Sequence, residues 1–196
     1  QMNLNYKIAH ISDTHIRNLK YHKEYRAVFK KIYESLREQK PDAIVHCGDL
    51  AHTKVHLSPE YFDLASDFLK NLADLAPLII IPGNHDGNLR NTARQDAITP
   101  LVTALEHKHI HLLRDSGEYV WDSNIVFNVL SVFDPENWVK PTREDKINIA
   151  LYHGSISGCE TSLGWVMEHG ENDVSIFEGH DYAMLGDIHK TNQILD

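Results

Sequence analysis

The chain is poor in every feature that would take it out of the ordinary globular classes. Cysteine is scarce, with only Cys47 and Cys159 among 196 residues and no CxxC pair. That excludes a disulfide framework, and a reducing, cytoplasmic compartment fits such usage. No apolar run approaches the roughly 20 residues that a membrane-spanning helix needs. A basic-then-apolar leader is also lacking, so neither membrane insertion nor secretion gains support. Positive charge is short as well: Lys and Arg number 19 against 28 Asp and Glu, a formal charge of −9. Nucleic-acid affinity rests on cationic contacts to phosphate, so the balance disfavours such a partner unless bound divalent cations reverse the field locally.

What is present suits one well-buried core. Hydrophobic residues make up 42% and charged residues 24% of the chain, and this length supports one domain more readily than two. Short β-rich apolar segments alternate with amphipathic helices. Lys7 to Ile11, Ala43 to Cys47 and Leu78 to Ile81 read as strands. A helix is expected over about 24–39, with Tyr25, Val28, Phe29, Ile32, Tyr33 and Leu36 on its buried face and Pro41 stopping it. Ser58-Pro59 offers a cap and an N1 proline for a second helix, striped by Phe62, Ala65, Phe68, Leu69 and Leu72. A third is expected over about 99–107. Beyond it the pattern turns β-like, over 109–113, 119–121, 125–132 and 147–152, with Asp122-Ser123-Asn124 as a hairpin turn. An α/β fold follows, its first half wound βαβαβ.

Each predicted strand ends in a polar cluster: Asp13-x-His15, Gly48-Asp49, Gly83-Asn84-His85-Asp86 and His153-Gly154, with Gly186-Asp187-Ile188-His189 near the C-terminus. Ligands of open α/β sheets bind beyond the carboxyl ends of the strands. Asp13 and His15, two apart on a segment expected to be extended, should point to one side. Carboxylate, imidazole and amide oxygen without thiolate suit Mn²⁺, Fe²⁺ or Zn²⁺ better than a structural cysteine site. Asp49 is the natural bridging carboxylate if two ions bind. A single Gly-Asp or Asp-x-His is commonplace; the ordered set is a strong signal.

That ordered set resembles the calcineurin-like metallophosphoesterases, whose signature D-x-H, G-D, G-N-H-D, H, G-H-x-H is matched in order over nearly the whole chain. The resemblance implies a two-sheet α/β sandwich flanked by helices, in four layers α/β/β/α, around a dinuclear centre. By position, Asp13, His15, Asp49 and His189 would hold one metal, and Asp49, Asn84, His153 and Asp187 the other. The family usually has histidine where this chain has Asp187. Within the superfamily, Gly48-Asp49-Leu50-Ala51-His52 and Tyr182 to His189 are similar to motifs of SbcD-like DNA-repair nucleases. In those nucleases an SMC-like ATPase is the partner and a DNA-binding cap follows the catalytic domain. Residues 1–196 are therefore expected to be a single catalytic domain without that cap, either an N-terminal fragment or an unusually short member.

The resemblance further implies two divalent ions, with Mn²⁺ foremost, that activate a water for in-line attack on a phosphodiester. His85 is the candidate for stabilising or protonating the leaving oxygen, and His52 for orienting the phosphate. Asp86 either braces the His85 loop or serves as an ordinary turn residue. DNA and an SMC-like ATPase are the expected partners, with a homodimer through the early helices also conceivable. Two other functions stay open: a phosphoesterase for a small substrate such as a cyclic nucleotide or phosphorylated metabolite, and a scaffold that lost its chemistry. Of the remaining histidines, His107, His109 and His111 read as surface or half-buried, His180 as a non-ligand, and His10 and His46 as strand residues turned away from the site. Trp121, Trp138 and Trp165 read as packing anchors, and Cys47 as a small buried residue.

Overall fold

A computed structural model describes residues 5–154, 156–157 and 172–187. Four parallel strands open the chain: β1 (Ile8–Ile11), β2 (Ala43–His46), β3 (Leu78–Ile80) and β4 (Ile110–Leu112), hydrogen-bonded in that order. Between them run helices α1 (His22–Gln39), α2 (Pro59–Leu75) and α3 (Thr99–Leu105). The second sheet takes β5 (Gly117–Val120), β6 (Ile125–Leu130), β7 (Ile147–His153) and β10 (Tyr182–Gly186), ordered β10-β7-β6-β5. β5 alone is antiparallel to its neighbour. Two-residue strands β8 (Ile156–Ser157) and β9 (Asn172–Asp173) pair separately.

Alternation along the strands sorts the apolar residues into layers. Ile44, Leu78 and Ile80 face the helices and pack with Phe29, Phe68, Leu69 and Leu72. Ala43, Val45, Cys47, Ile79 and Ile81 face the other way, against Ile125, Phe127, Val129, Ile149 and Leu151 of the second sheet. This is the expected two-sheet sandwich. Its far face carries Tyr152 and Ala150 packed with Trp138, Ile176 and Phe177. Across α1 and α2, Phe29 and Phe68 stack with ring centroids 4.0 Å apart, a contact worth about 0.5–1.5 kcal/mol beyond its buried area.

Local details differ from the sequence pattern at identifiable points. α2 begins as read, Ser58 Oγ accepting from the Tyr61 N–H at 3.0 Å ahead of Pro59. Ala65, Phe68, Leu69 and Leu72 are buried as read, joined by Tyr61 and Leu64, while Phe62 is exposed. Val28 is 54% exposed, so it lies outside the buried face of α1. α1 starts at His22 behind a left-handed Tyr21 with no side-chain cap, which left its start without a sequence signal. No helix of the described residues is long and apolar enough to cross a membrane. The consequence for function is directional: β1, β2, β3, β7 and β10 end on one side, and β7 pairs with β10 so that His153 lies opposite Gly186.

Candidate metal centre

The segment after β1 runs beside the segment after β2. Asp13 N–H donates to the Gly48 carbonyl (3.0 Å), His15 N–H to Asp49 (2.9 Å), Ile16 N–H to Leu50 (2.8 Å) and His52 N–H to Ile16 (3.0 Å). The pairing is not regular strand. Asp13, His15 and Asp49 take φ of 56°, 46° and 56°, and Asp187 takes 60°. The expectation of an extended Asp13–His15 segment is thus corrected. Left-handed backbone, not strand alternation, aims these two side chains. Such a conformation costs an ordinary residue about 1–2 kcal/mol, and four of the eight non-glycine residues that adopt it among the described residues are candidate ligands. Strain is concentrated where side chains must converge.

They do converge. Ligand atoms of Asp13, Asp49, His153 and Asp187 all lie within 4.8 Å of one another. Asp49 is fully buried and uses its two oxygens differently. Oδ1 accepts from the His85 N–H at 2.8 Å. Oδ2 lies 3.2 Å from His153 Nε2 and 3.6 Å from His15 Nε2, with no well-directed hydrogen bond of its own. His15 Nε2 is also 3.6 Å from Asp13 Oδ1, and the Asp187 N–H reaches Asp13 Oδ2 at 3.1 Å. Asn84 closes the group, its Oδ1 3.0 Å from His153 Nε2. Gly83 is required by closeness: a Cβ there would overlap Asp49 and sit 2.7 Å from His153 Cε1.

Protonation follows from the same contacts. His153 donates through Nδ1 to the Cys47 carbonyl at 2.7 Å. Its Nε2 therefore faces the oxygens of Asp49 and Asn84. Burial works against charge on this ring, but the Asp49 carboxylate outweighs it and raises the pKa to about 9. Burial likewise opposes ionisation of Asp13, yet His15 and Ser12 hold it down to about 2, and His153 keeps Asp49 below the usual carboxylate range. In the protein alone, a proton on His153 offsets the negative charge gathered there. A cation bound there would offset the same charge. A histidine anchored at Nδ1 by a carbonyl, with Nε2 turned to oxygens, is posed as a metal ligand. A buried carboxylate oxygen short of donors is what a bridging position requires. The donor set fits divalent metal.

Beside this group lie His15, His52 and His85, whose ring nitrogens also approach within 4.8 Å. The His15 and His85 rings meet edge-on, centroids 4.9 Å apart. His85 donates from Nδ1 to the His52 carbonyl at 2.8 Å, since a carbonyl can only accept. Of the three, His52 also lines a cleft of about 240 Å³ together with Arg17, Asn18, Leu19, Lys20 and Thr53.

Asp86 is fully buried and more than a turn residue. It accepts from Ala51, Gly83 and Leu50 N–H groups, which braces both flanking loops. Burial raises its carboxyl to about 7, against the pull of the Ala51 and Gly83 donors. His46 departs from its reading. Although in β2, it is not turned away: its Nε2 is 3.2 Å from Thr14 Oγ1, between two candidate ligands. His180 is fixed structurally, its Nδ1 donating to Phe177 O and its Nε2 accepting from Asn128 Nδ2. His107 pairs with Asp74 at 2.8 Å, well away in sequence from the ligand loops. Trp121 and Trp138 donate to Tyr6 and to the Ser131 carbonyl as packed rings. His189, Cys159 and Trp165 lie outside the described residues.

Comparison with known proteins gives three findings. Residues 6–193 match the family model described as calcineurin-like phosphoesterase. An uncharacterised protein of Acanthamoeba polyphaga mimivirus is 40% identical over 197 residues, which is 93% of this chain but 14% of that protein, so the chain spans a small part of its relative. The crystal structure of Pseudomonas putida nuclease MPE aligns with 76% of this chain and 61% of its own, at 18% identity and a TM-score of 0.40.

Proposed function

Since the chain belongs to the calcineurin-like phosphoesterase family, a family of metal-dependent phosphoester hydrolases, we propose that it is a phosphodiesterase acting on DNA, of the SbcD type. The observation that carries this reading is the convergence of Asp13, Asp49, His153 and Asp187 at the strand ends. Asp13, His15, Asp49 and His189 would hold one divalent ion, and Asp49, Asn84, His153 and Asp187 the second. Oxygen and imidazole donors favour Mn²⁺, with Fe²⁺ or Zn²⁺ as alternatives. When bound, such a pair supplies an activated water and electrostatic clamping of the phosphate oxygens.

The remaining work falls to the chain's own groups. His85, held through Nδ1 by the His52 carbonyl, would present Nε2 to the leaving oxygen and, as the doubly protonated imidazolium, give up its Nε2 proton there and become neutral. His52 orients the phosphate from the rim of the cleft. Arg17 and Lys20 line the same cleft and provide cationic contacts in a chain whose overall charge is negative. That local sign favours a polynucleotide over a small ester, because neighbouring phosphates need partners beyond the reacting one. An SMC-like ATPase is the proposed partner, through regions outside this chain.

The test is turnover of single- and double-stranded DNA beside bis-p-nitrophenyl phosphate, with Mn²⁺ and with chelator. Mn²⁺-dependent cleavage of DNA is expected, abolished by chelation. Hydrolysis of the small ester alone would favour the second reading, a small-substrate phosphoesterase.

A further inference from the structure

His46 is completely buried in β2, where an aliphatic side chain would pack at no desolvation cost. A buried imidazole is tolerated only when both nitrogens are satisfied. Here both are, and in one direction. Nδ1 accepts from the Gly48 N–H at 3.2 Å, so in the neutral ring the proton sits on Nε2. Nε2 then donates to Thr14 Oγ1 at 3.2 Å. Thr14 has one hydroxyl proton, and it goes to the Leu50 carbonyl at 3.2 Å. Gly48, His46, Thr14 and Leu50 thus form one continuous chain of donors and acceptors.

The chain joins two loops. Thr14 stands between Asp13 and His15, while Gly48 and Leu50 flank Asp49. Backbone bonds already tie Asp13, His15 and Ile16 to the facing loop, and the side-chain relay adds the cross-link at Thr14. Because Asp13, His15 and Asp49 hold left-handed backbone, they would relax without such support.

We propose that His46 and Thr14 are positioning residues: their relay locks the two ligand-bearing loops in register and thereby sets the spacing of Asp13 and Asp49. This rests on the metal-centre reading above. It also requires a neutral ring with one fixed tautomer, since a doubly protonated His46 would meet the Gly48 N–H donor to donor. Burial, the dominant influence, holds its pKa down to about 4.

Two measurements decide it. In the metal-free protein, long-range ¹H–¹⁵N correlation should show His46 as the neutral Nε2–H tautomer throughout pH 6 to 8. An Nδ1–H tautomer, or a ring that titrates in that range, overturns the relay. Mn²⁺ affinity, read by competition with a fluorescent chelator, should fall about 10- to 100-fold in Thr14→Val, the size seen when ligand-orienting partners are lost. Thr14→Ser keeps the hydroxyl and should stay within about threefold of the parent. His46→Leu should match Thr14→Val, and the double variant should be no weaker than either alone. Should His46→Leu fail to fold, the Thr14 pair still decides. Equal Mn²⁺ affinity in Thr14→Val and the parent overturns the proposal. A parent that binds no Mn²⁺ counts against the metal centre instead, and the tautomer then settles whether the relay exists.

Discussion

Asp86 Oδ1 accepts the Ala51 N–H at 2.8 Å across 35 positions of sequence. The other oxygen takes Gly83 N–H at 2.8 Å and Leu50 N–H at 3.3 Å. One buried carboxyl thereby fixes both the Asp49 loop and the Asn84–His85 loop. Asp86→Asn preserves the shape but replaces one acceptor by an amide nitrogen with no lone pair to offer. Whichever way that amide turns, at least one buried N–H loses its partner. The expected loss is about 1–3 kcal/mol of stability, read as a lower urea midpoint with the m-value unchanged. A variant that unfolds at the parent's midpoint would show that these bonds are dispensable.

The proton on His153 has a measurable consequence. Its pKa in the metal-free fold is raised from 6.5 to about 9 by the Asp49 carboxylate acting against burial. The stabilisation from that pair is therefore complete below pH 6.5 and fades as pH rises through about 9. Metal binding has the opposite sign, because only the neutral ring coordinates. At pH 7 a metal must displace this proton, so affinity should strengthen as pH climbs towards 9. Calorimetric titration with Mn²⁺ at pH 7, in two buffers of different ionisation enthalpy, should report about one proton released from His153 on filling the position it serves. A binding enthalpy independent of buffer would place the proton elsewhere.

Much of the centre could be read from sequence because its members follow apolar strand segments. Asp49 comes after Ala43–His46, Asn84 after Leu78–Ile80, and His153 closes Ile147–His153. A short apolar run followed by a polar residue marks a strand end wherever it occurs. Left-handed backbone at Asp13, His15 and Asp187 gives no sequence signal: Asp and His enter that region more readily than most residues, but only a small fraction of them do, and no glycine marks these three positions. His46 was missed for a different reason. Strand alternation places it on the face of Ile44, which packs against the helices, and Thr14 comes to meet it only through the fold of the loop after β1. Similarly, Phe62 and Tyr61 are interchangeable as stripe residues until α2 is seen against its neighbours. β10 lacked a pattern altogether, since Ala183 and Met184 carry no strand preference.

His85 separates chemistry from binding. Its ring is fixed by the His52 carbonyl, and its N–H, from the backbone, supports Asp49. Substituting the side chain leaves the backbone bond in place. His85→Asn should keep metal content at the parent level while lowering turnover by about 10²-fold or more. Metal analysis and steady-state rates on the same preparation decide the matter. If metal and activity fall together, His85 belongs among the ligands rather than with the proton donors.

Arg17 and Lys20 offer a way to separate strand binding from ester hydrolysis. Both line the cleft beside His52, and as cations with donors only, neither serves as a metal ligand. Each phosphate contact removed should lower the slope of log affinity against log salt by about 1 and weaken binding across sequences alike. Arg17→Ala with Lys20→Ala should therefore raise KM for DNA steeply at physiological salt and flatten its salt dependence. For bis-p-nitrophenyl phosphate, which carries a single phosphate, the change in kcat/KM should be much smaller. Parallel losses on both substrates would mean that the cleft grips the reacting phosphate itself. An unaltered salt slope would mean that the strand leaves the site by another route, and the basic surface for DNA would then have to be sought on other parts of the molecule.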